Sequence, residues 1–164
     1  MKATDFIKLS LESSKGWIMG LAADIQDAPL QRATEGGNHP MWCLGHLVYS
    51  EGNLVNGLCK GEENPVAGWA ETFGIGSQPS DDASVYPSYE EVLAKLEEVR
   101  AGTMAYLDSI TDEDLDSPSH AEGDMKDWFP TKGACLAAVS THFGFHGGQI
   151  ADARRAAGRG VLMG

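Results

Sequence analysis

Apolar residues recur at helical spacing in four stretches of the chain, separated by polar segments rich in Gly, Pro, Ser and Asp. From about Asp5 to Asp27, Ile7, Leu11, Ile18, Leu21 and Ile25 fall on one face, with Ser14 filling a gap. Pro29 ends that stretch. A second begins at "NHPMWCLGHLVYSEGNLVNGLCKG", with Pro40 in a first helical position and Asn38 or His39 as its cap. Leu44, Leu47, Val48, Leu54, Val55 and Leu58 form its stripe, and Gly61 stops it. The third, "PSYEEVLAKLEEVRAGTMAYLDSI", opens with Ser88 and has Glu91 three residues on, the spacing of a capping box. Tyr89, Val92, Leu93, Leu96, Val99, Thr103, Leu107 and Ile110 keep its period. The fourth runs from about Lys132 to Ala157, with Arg154 and Arg155 suited to the negative end of a helix and Gly158 beyond them.

Residues 61–87 and 111–131 connect the second helix to the third and the third to the fourth. Connections of this length are uncommon in compact domains and permit a crossover. Trp69, Phe73, Trp128 and Phe129 are their expected anchors. No run of strand-like alternation, no internal repeat and no linker interrupts the pattern. The expected architecture is all-α, a four-helix bundle with a long crossover connection, formed as one domain over residues 1–164.

Composition narrows the functional classes. Hydrophobic residues make up 42% of the chain, an ordinary globular share. With 24 acidic and 12 basic side chains the net charge is −12, which disfavours nucleic-acid and anionic-membrane partners. The opening "MKATDFIKLSLESSK" is too charged for a signal peptide, and no segment reaches the roughly 18 apolar residues of a membrane span. Cys43, Cys59 and Cys135 are odd in number and lack a CxxC pair. A reducing cytoplasm is the expected location.

The chemistry concentrates in histidines. His142 and His146 stand at i and i+4, projecting from one face of the fourth helix together with Cys135, Val139, Ile150 and Ala153. Such a pair can hold one metal ion or, read structurally, can be two partly buried rings bonded to neighbours. His46 lies away from the aliphatic stripe of the second helix, on a side shared with Trp42, Tyr49 and Asn53. That face could line a cleft beside the fourth helix. Three imidazoles and water would leave a coordination position free for substrate. His39 reads as a cap and His120 as a solvated loop residue. Gly144, Gly147 and Gly148 leave the backbone bare near the histidines, for ligand access or for close helix packing. Gln149 is placed to orient a water or substrate, or to be an ordinary buried amide.

Two other enzymatic readings fail. Cys135 precedes His142 by seven residues, a helical rise of about 10 Å, beyond hydrogen-bond reach. "HFGFH" lacks the glutamate of the helical H-E-x-x-H proteases.

"NHPMWCLGHLVYSEGNL" and "STHFGFHGGQIADARRAAG" resemble the DinB/YfiT-like superfamily of metalloenzymes. Its pattern is W-x-x-x-H on an early helix and H-x-x-x-H-x-G-Q on the last, met here by Trp42/His46 and His142/His146/Gly148/Gln149. The resemblance implies a four-helix bundle with one divalent ion (zinc, nickel or iron) held by His46, His142 and His146. Trp42 and Gln149 would line the cleft, contacting substrate or bracing a ligand. Many relatives carry a basic residue where this chain has Gly147, which puts an anionic-substrate contact there in doubt. The activity implied is S-transfer or isomerisation of a small molecule with a low-molecular-weight thiol. A metal-dependent hydrolase is the close rival, and a non-catalytic ligand-binding or dimer-forming bundle is the alternative of another class. A homodimer is expected from the resemblance and from the prevalence of twofold pairs.

Overall fold

The computed structural model describes residues 1–162. Its helices are α1 (Ala3–Ile25), α2 (Pro40–Gly52), α3 (Ala70–Phe73), α4 (Tyr89–Ser109), α5 (Met125–Trp128) and α6 (Lys132–Ala156). Single turns of 3-10 helix lie at Ala67–Trp69, Ala83–Val85 and Glu113–Asp116. Among the described residues the extended pairing is one isolated antiparallel bridge, Pro118 to Thr131, which closes the second long connection. No described helix is long and apolar enough to cross a membrane.

The four long helices form a bundle in which α1 packs on α6 and α2 packs on both α4 and α6. The main neighbour of α1 is therefore the last helix and not the next one in sequence. This is the crossover that the long connections allow. The expected caps are in place. His39 Nδ1 accepts from the Trp42 amide at 3.1 Å, ahead of Pro40. Ser88 Oγ accepts from the Glu91 amide at 3.1 Å. Gly158 follows α6 with φ of +77°, a conformation glycine adopts without steric cost.

The second helix departs from the expected uniform α-helix. Beyond Gly52 its hydrogen bonds widen into a π-helical segment, Asn53–Lys60, that ends at Gly61 with φ of +69°. Asn64 docks on the junction, donating from Nδ2 to the Tyr49 carbonyl at 2.9 Å. Wider helical turns of this kind are frequent beside functional sites.

Leu11, Ile18, Leu44, Leu47, Leu96, Phe143 and Ile150 are fully buried at the centre of the bundle. An ion pair crosses this core. Arg100 from α4 meets Glu51 from α2 through two hydrogen bonds, 2.7 and 2.9 Å long, and both side chains are 1% exposed. The same guanidinium donates to the Leu11 carbonyl of α1 and lies 4.6 Å from the centroid of the Phe143 ring on α6. One side chain thus touches the other three long helices.

Of the expected loop anchors, Phe73 is fully buried, and Trp69 and Phe129 pack partly buried against the core. Trp128 is not an anchor: it is 77% exposed. Its place on the short α5 carries the ring outward, over the cleft described below.

Candidate metal centre

His46 sits mid-way along α2, and His142 and His146 one turn apart on α6. The packing of α2 on α6 brings the three rings together. Ring centroids are 5.0 Å apart for His46 and His142, 5.1 Å for His46 and His146, and 4.5 Å for the α6 pair. One nitrogen from each of the three lies within 4.8 Å of the others. Rings from two distant segments therefore converge on one point and could hold a metal ion.

The hydrogen bonds around the rings select which nitrogens face that point. His46 Nδ1 is 2.7 Å from the Phe73 carbonyl, so it carries the proton and donates, leaving the Nε2 lone pair free. His146 Nδ1 is 2.8 Å from Gln149 Oε1 and donates likewise. The His146 and His142 Nε2 atoms then approach to 2.9 Å. Histidines that ligate metals characteristically donate their other ring nitrogen to a carbonyl or side-chain acceptor, which fixes tautomer and orientation. Both supports are present here, and the donor set of three neutral imidazoles suits zinc, nickel or ferrous iron.

The electrostatics keep the rings neutral. Burial is the largest cause at each. It pushes His142 down to about 3, with His146 and His46 adding to the effect. It pushes His146 down to about 4, against the raising effect of its bond to Gln149. His46 is lowered by burial too, opposed by the bond to Phe73. A neutral imidazole is the form that ligates.

Trp42 and Gln149 do not line the cleft. Both sit behind the histidines. The Trp42 indole stacks on His46 and donates from Nε1 to Ser77 Oγ at 3.1 Å. Gln149 Oε1 also accepts from Asn38 Nδ2 at 3.1 Å. These residues brace rings and are screened from a substrate by them. The glycines of α6 also face elsewhere. A Cβ at Gly147 would meet Ile18 of α1 at 3.4 Å, and Gly144 and Gly148 look onto open space. Gly147 thus packs against α1, as close helix packing requires, and none of the three lines the cleft beside the imidazoles. Gly147 accordingly has no bearing on what enters the cleft.

Residues that the helical pattern did not mark complete the support. A Cβ at Gly45 would stand 2.2 Å from the Phe73 ring, so only glycine lets that ring lie on α2 and bring its carbonyl to His46. Glycine immediately before the histidine in "CLGHL" is the signal that could have found this contact. His39 and His120 are apart from the centre. His39 is fully buried with Nε2 donating to the Ser80 carbonyl at 2.9 Å, and His120 is exposed. The cysteines are buried core residues, and burial pushes the Cys43 thiol up to about 12.

A cleft of about 570 Å³ opens onto His46 and His142. Tyr49, Ser50 and Asn53 from the His46 face of α2 line it, as the sequence pattern predicts for Tyr49 and Asn53. The two long connections supply the outer wall, with Ile75 from the first and Met125, Trp128 and Phe129 from the second.

A family model described as the DinB superfamily matches residues 17–150, a span that contains Trp42, the three histidines and Gln149. Comparison with curated proteins finds no match.

Proposed function

Because the chain belongs to the DinB superfamily, we propose that it is a divalent-metal-dependent enzyme transferring or isomerising a small molecule with the help of a low-molecular-weight thiol. The observation that carries the reading is the convergence of His46, His142 and His146, with Nδ1 of two of them already committed to the Phe73 carbonyl and to Gln149. A divalent ion held by His46, His142 and His146 would supply Lewis acidity, favouring the thiolate form of a small thiol near neutral pH.

The chain's own residues divide the remaining work. His46 and His142 face the cleft, while His146 is 4% exposed and holds its position from beneath. Ser50 Oγ, 3.5 Å from His46 Nε2, is placed to hydrogen-bond a group arriving beside the imidazoles. Ile75, Phe129 and Phe145 give the cleft apolar walls. No carboxylate lines the cleft among the described residues, so we assign no general base from the protein. That favours a nucleophile supplied as a thiol, whose deprotonation needs less assistance than that of water.

The reading extends to a cytoplasmic homodimer acting on a small molecule, supported by three cysteines free of disulfides and by the frequency of twofold pairs. Metal analysis of protein purified without a histidine tag tests its core. One equivalent of metal, lost in His46→Ala and in His142→Ala, is the expected result. The metal-loaded protein should then consume glutathione, bacillithiol or mycothiol against 1-chloro-2,4-dinitrobenzene. Turnover of p-nitrophenyl acetate without any thiol would instead identify a hydrolase. Absence of metal with folding unchanged in both variants would leave a non-catalytic bundle.

A further inference from the structure

The lining of the cleft carries information about its occupant beyond the metal centre. Leu54, Ile75, Met125, Trp128, Phe129 and Phe145 make most of its wall. Tyr49, Ser50, Asn53 and Thr141 supply its polar side chains, and all four are uncharged. No Lys, Arg, Asp or Glu lines it among the described residues.

The polar groups are placed at one end. Ser50 adjoins His46 Nε2, Thr141 immediately precedes His142, and Asn53 follows His46 by two turns of the same helix. Thr141 Oγ1 donates to the Ala137 carbonyl of its own helix, so toward the cleft it is an acceptor. The rest of the wall is apolar and open: Ile75, Trp128 and Phe145 are 75%, 77% and 64% exposed, and the Phe145 ring lies 5.2 Å from that of His146. Aromatic and aliphatic surface left in water this way is what a ligand would cover.

Away from the metal centre, a carboxylate, sulfonate or phosphate would lose its hydration and find no cation on the wall to replace it. The connection that carries Trp128 adds Glu122, Asp124 and Asp127 against Lys126, and the whole chain is at −12. Long-range repulsion therefore acts in the same direction as the local lining.

Resting on the metal-enzyme reading, we propose that this cleft selects an uncharged, predominantly apolar small molecule, held against Trp128 and Phe145 with one polar end at His46 and His142, and that its wall disfavours an anionic group held away from the metal. The wall sets the class of molecule, and the uncharged groups beside the imidazoles set which end goes in first.

Two dyes with one ring skeleton test this, N-phenyl-1-naphthylamine and its sulfonated relative 8-anilino-1-naphthalenesulfonate. Each is titrated by fluorescence into chelator-treated and zinc-loaded protein. In the chelator-treated form, where no ion can hold the sulfonate, the neutral dye should bind about tenfold tighter than the sulfonate, or better still. Its binding should weaken by about as much in Ala138→Phe, which fills the floor, and in Trp128→Ala, which removes the outer wall. Ala137→Lys, at an exposed lining position, should raise sulfonate affinity toward that of the neutral dye by adding the missing cation. Circular dichroism checks that each variant is folded. Equal affinity of the chelator-treated protein for the two dyes, no binding of the neutral dye, or binding indifferent to both Ala138→Phe and Trp128→Ala would overturn the proposal. Failure of zinc to bind, with dye selectivity intact, would sink the metal reading and support this one. Stoichiometric zinc with no dye selectivity would do the reverse.

Discussion

The Trp42 indole lies flat on the His46 imidazole, with ring centroids 4.6 Å apart and planes 9° from parallel. The contact spans one turn of α2, so it is built by local sequence spacing and needs no other element. The Phe73 carbonyl then fixes the remaining rotation of the His46 ring, and the indole is itself tied by its bond to Ser77. Trp42→Phe should keep most of the stacking surface and leave zinc affinity within a few-fold of the parent. Trp42→Leu should weaken zinc by roughly tenfold to a hundredfold, the usual effect of losing a residue that orients a ligand. Competition against a chromophoric chelator reads both. Equal affinity in the Leu variant would mean that the Phe73 carbonyl orients His46 unaided.

Gly45 gives the complementary prediction. Its replacement by Ala would drive a methyl group to within 2.4 Å of three carbons of the Phe73 ring. The ring is fully buried and has nowhere to retreat without moving its backbone. Gly45→Ala should cost about 1–3 kcal/mol of stability through overpacking. It should also weaken zinc, because the displaced Phe73 carbonyl no longer meets His46 Nδ1. Gly20→Ala is the control: open space surrounds that position on α1, so the change should stabilise by up to about 1 kcal/mol. Thermal melts with and without zinc separate the two effects.

The helices were legible in the sequence because each buries a stripe of Leu, Ile and Val and begins at a readable cap, as Ser88 and Pro40 show. The three histidines were legible for a related reason: two share a helical face, and the third stands off the stripe of its own helix. What pattern could not reveal depends on pairing between helices. Glu51 lies beside the apolar stripe of α2 and Arg100 looks like one more charge on a charged helix, yet they meet in the core. Periodicity reports which side of a helix is apolar and says nothing about a cation on another helix. The π-helical turn after Gly52 and the outward Trp128 likewise follow from docking of the long connections, which have no period to read.

The Glu51–Arg100 pair makes a stability prediction. Arg100→Met leaves a buried carboxylate without its partner and removes the donor to the Leu11 carbonyl. Breaking one side of such a pair costs about 3–5 kcal/mol. Glu51→Leu should cost a comparable amount, since it strands the guanidinium. Glu51→Leu combined with Arg100→Met should recover most of the loss, because the double change removes both charges and keeps the volume. Urea unfolding of the four proteins measures the coupling. Additive losses in the double variant would show that the two side chains act independently.

Acid should destabilise the metal-free protein well before its carboxylates titrate. His142 and His146 have folded-state values of about 3 and about 4, below the ordinary histidine value near 6.5 that applies to the unfolded chain. Between those limits the unfolded state binds more protons than the folded one, so stability falls as pH falls. The contribution is complete above about pH 6.5 and is lost progressively toward pH 4. Melting temperature of chelator-treated protein should therefore decline across pH 6.5 to 5, a window above the range where carboxylates become protonated. His142→Ala should lessen that decline by removing one of the groups that burial holds neutral. Zinc-loaded protein should hold its melting temperature further into acid, because protons must displace the ion before the rings can charge. A melting temperature independent of pH across that window in the metal-free protein would show that the rings are not held neutral by burial.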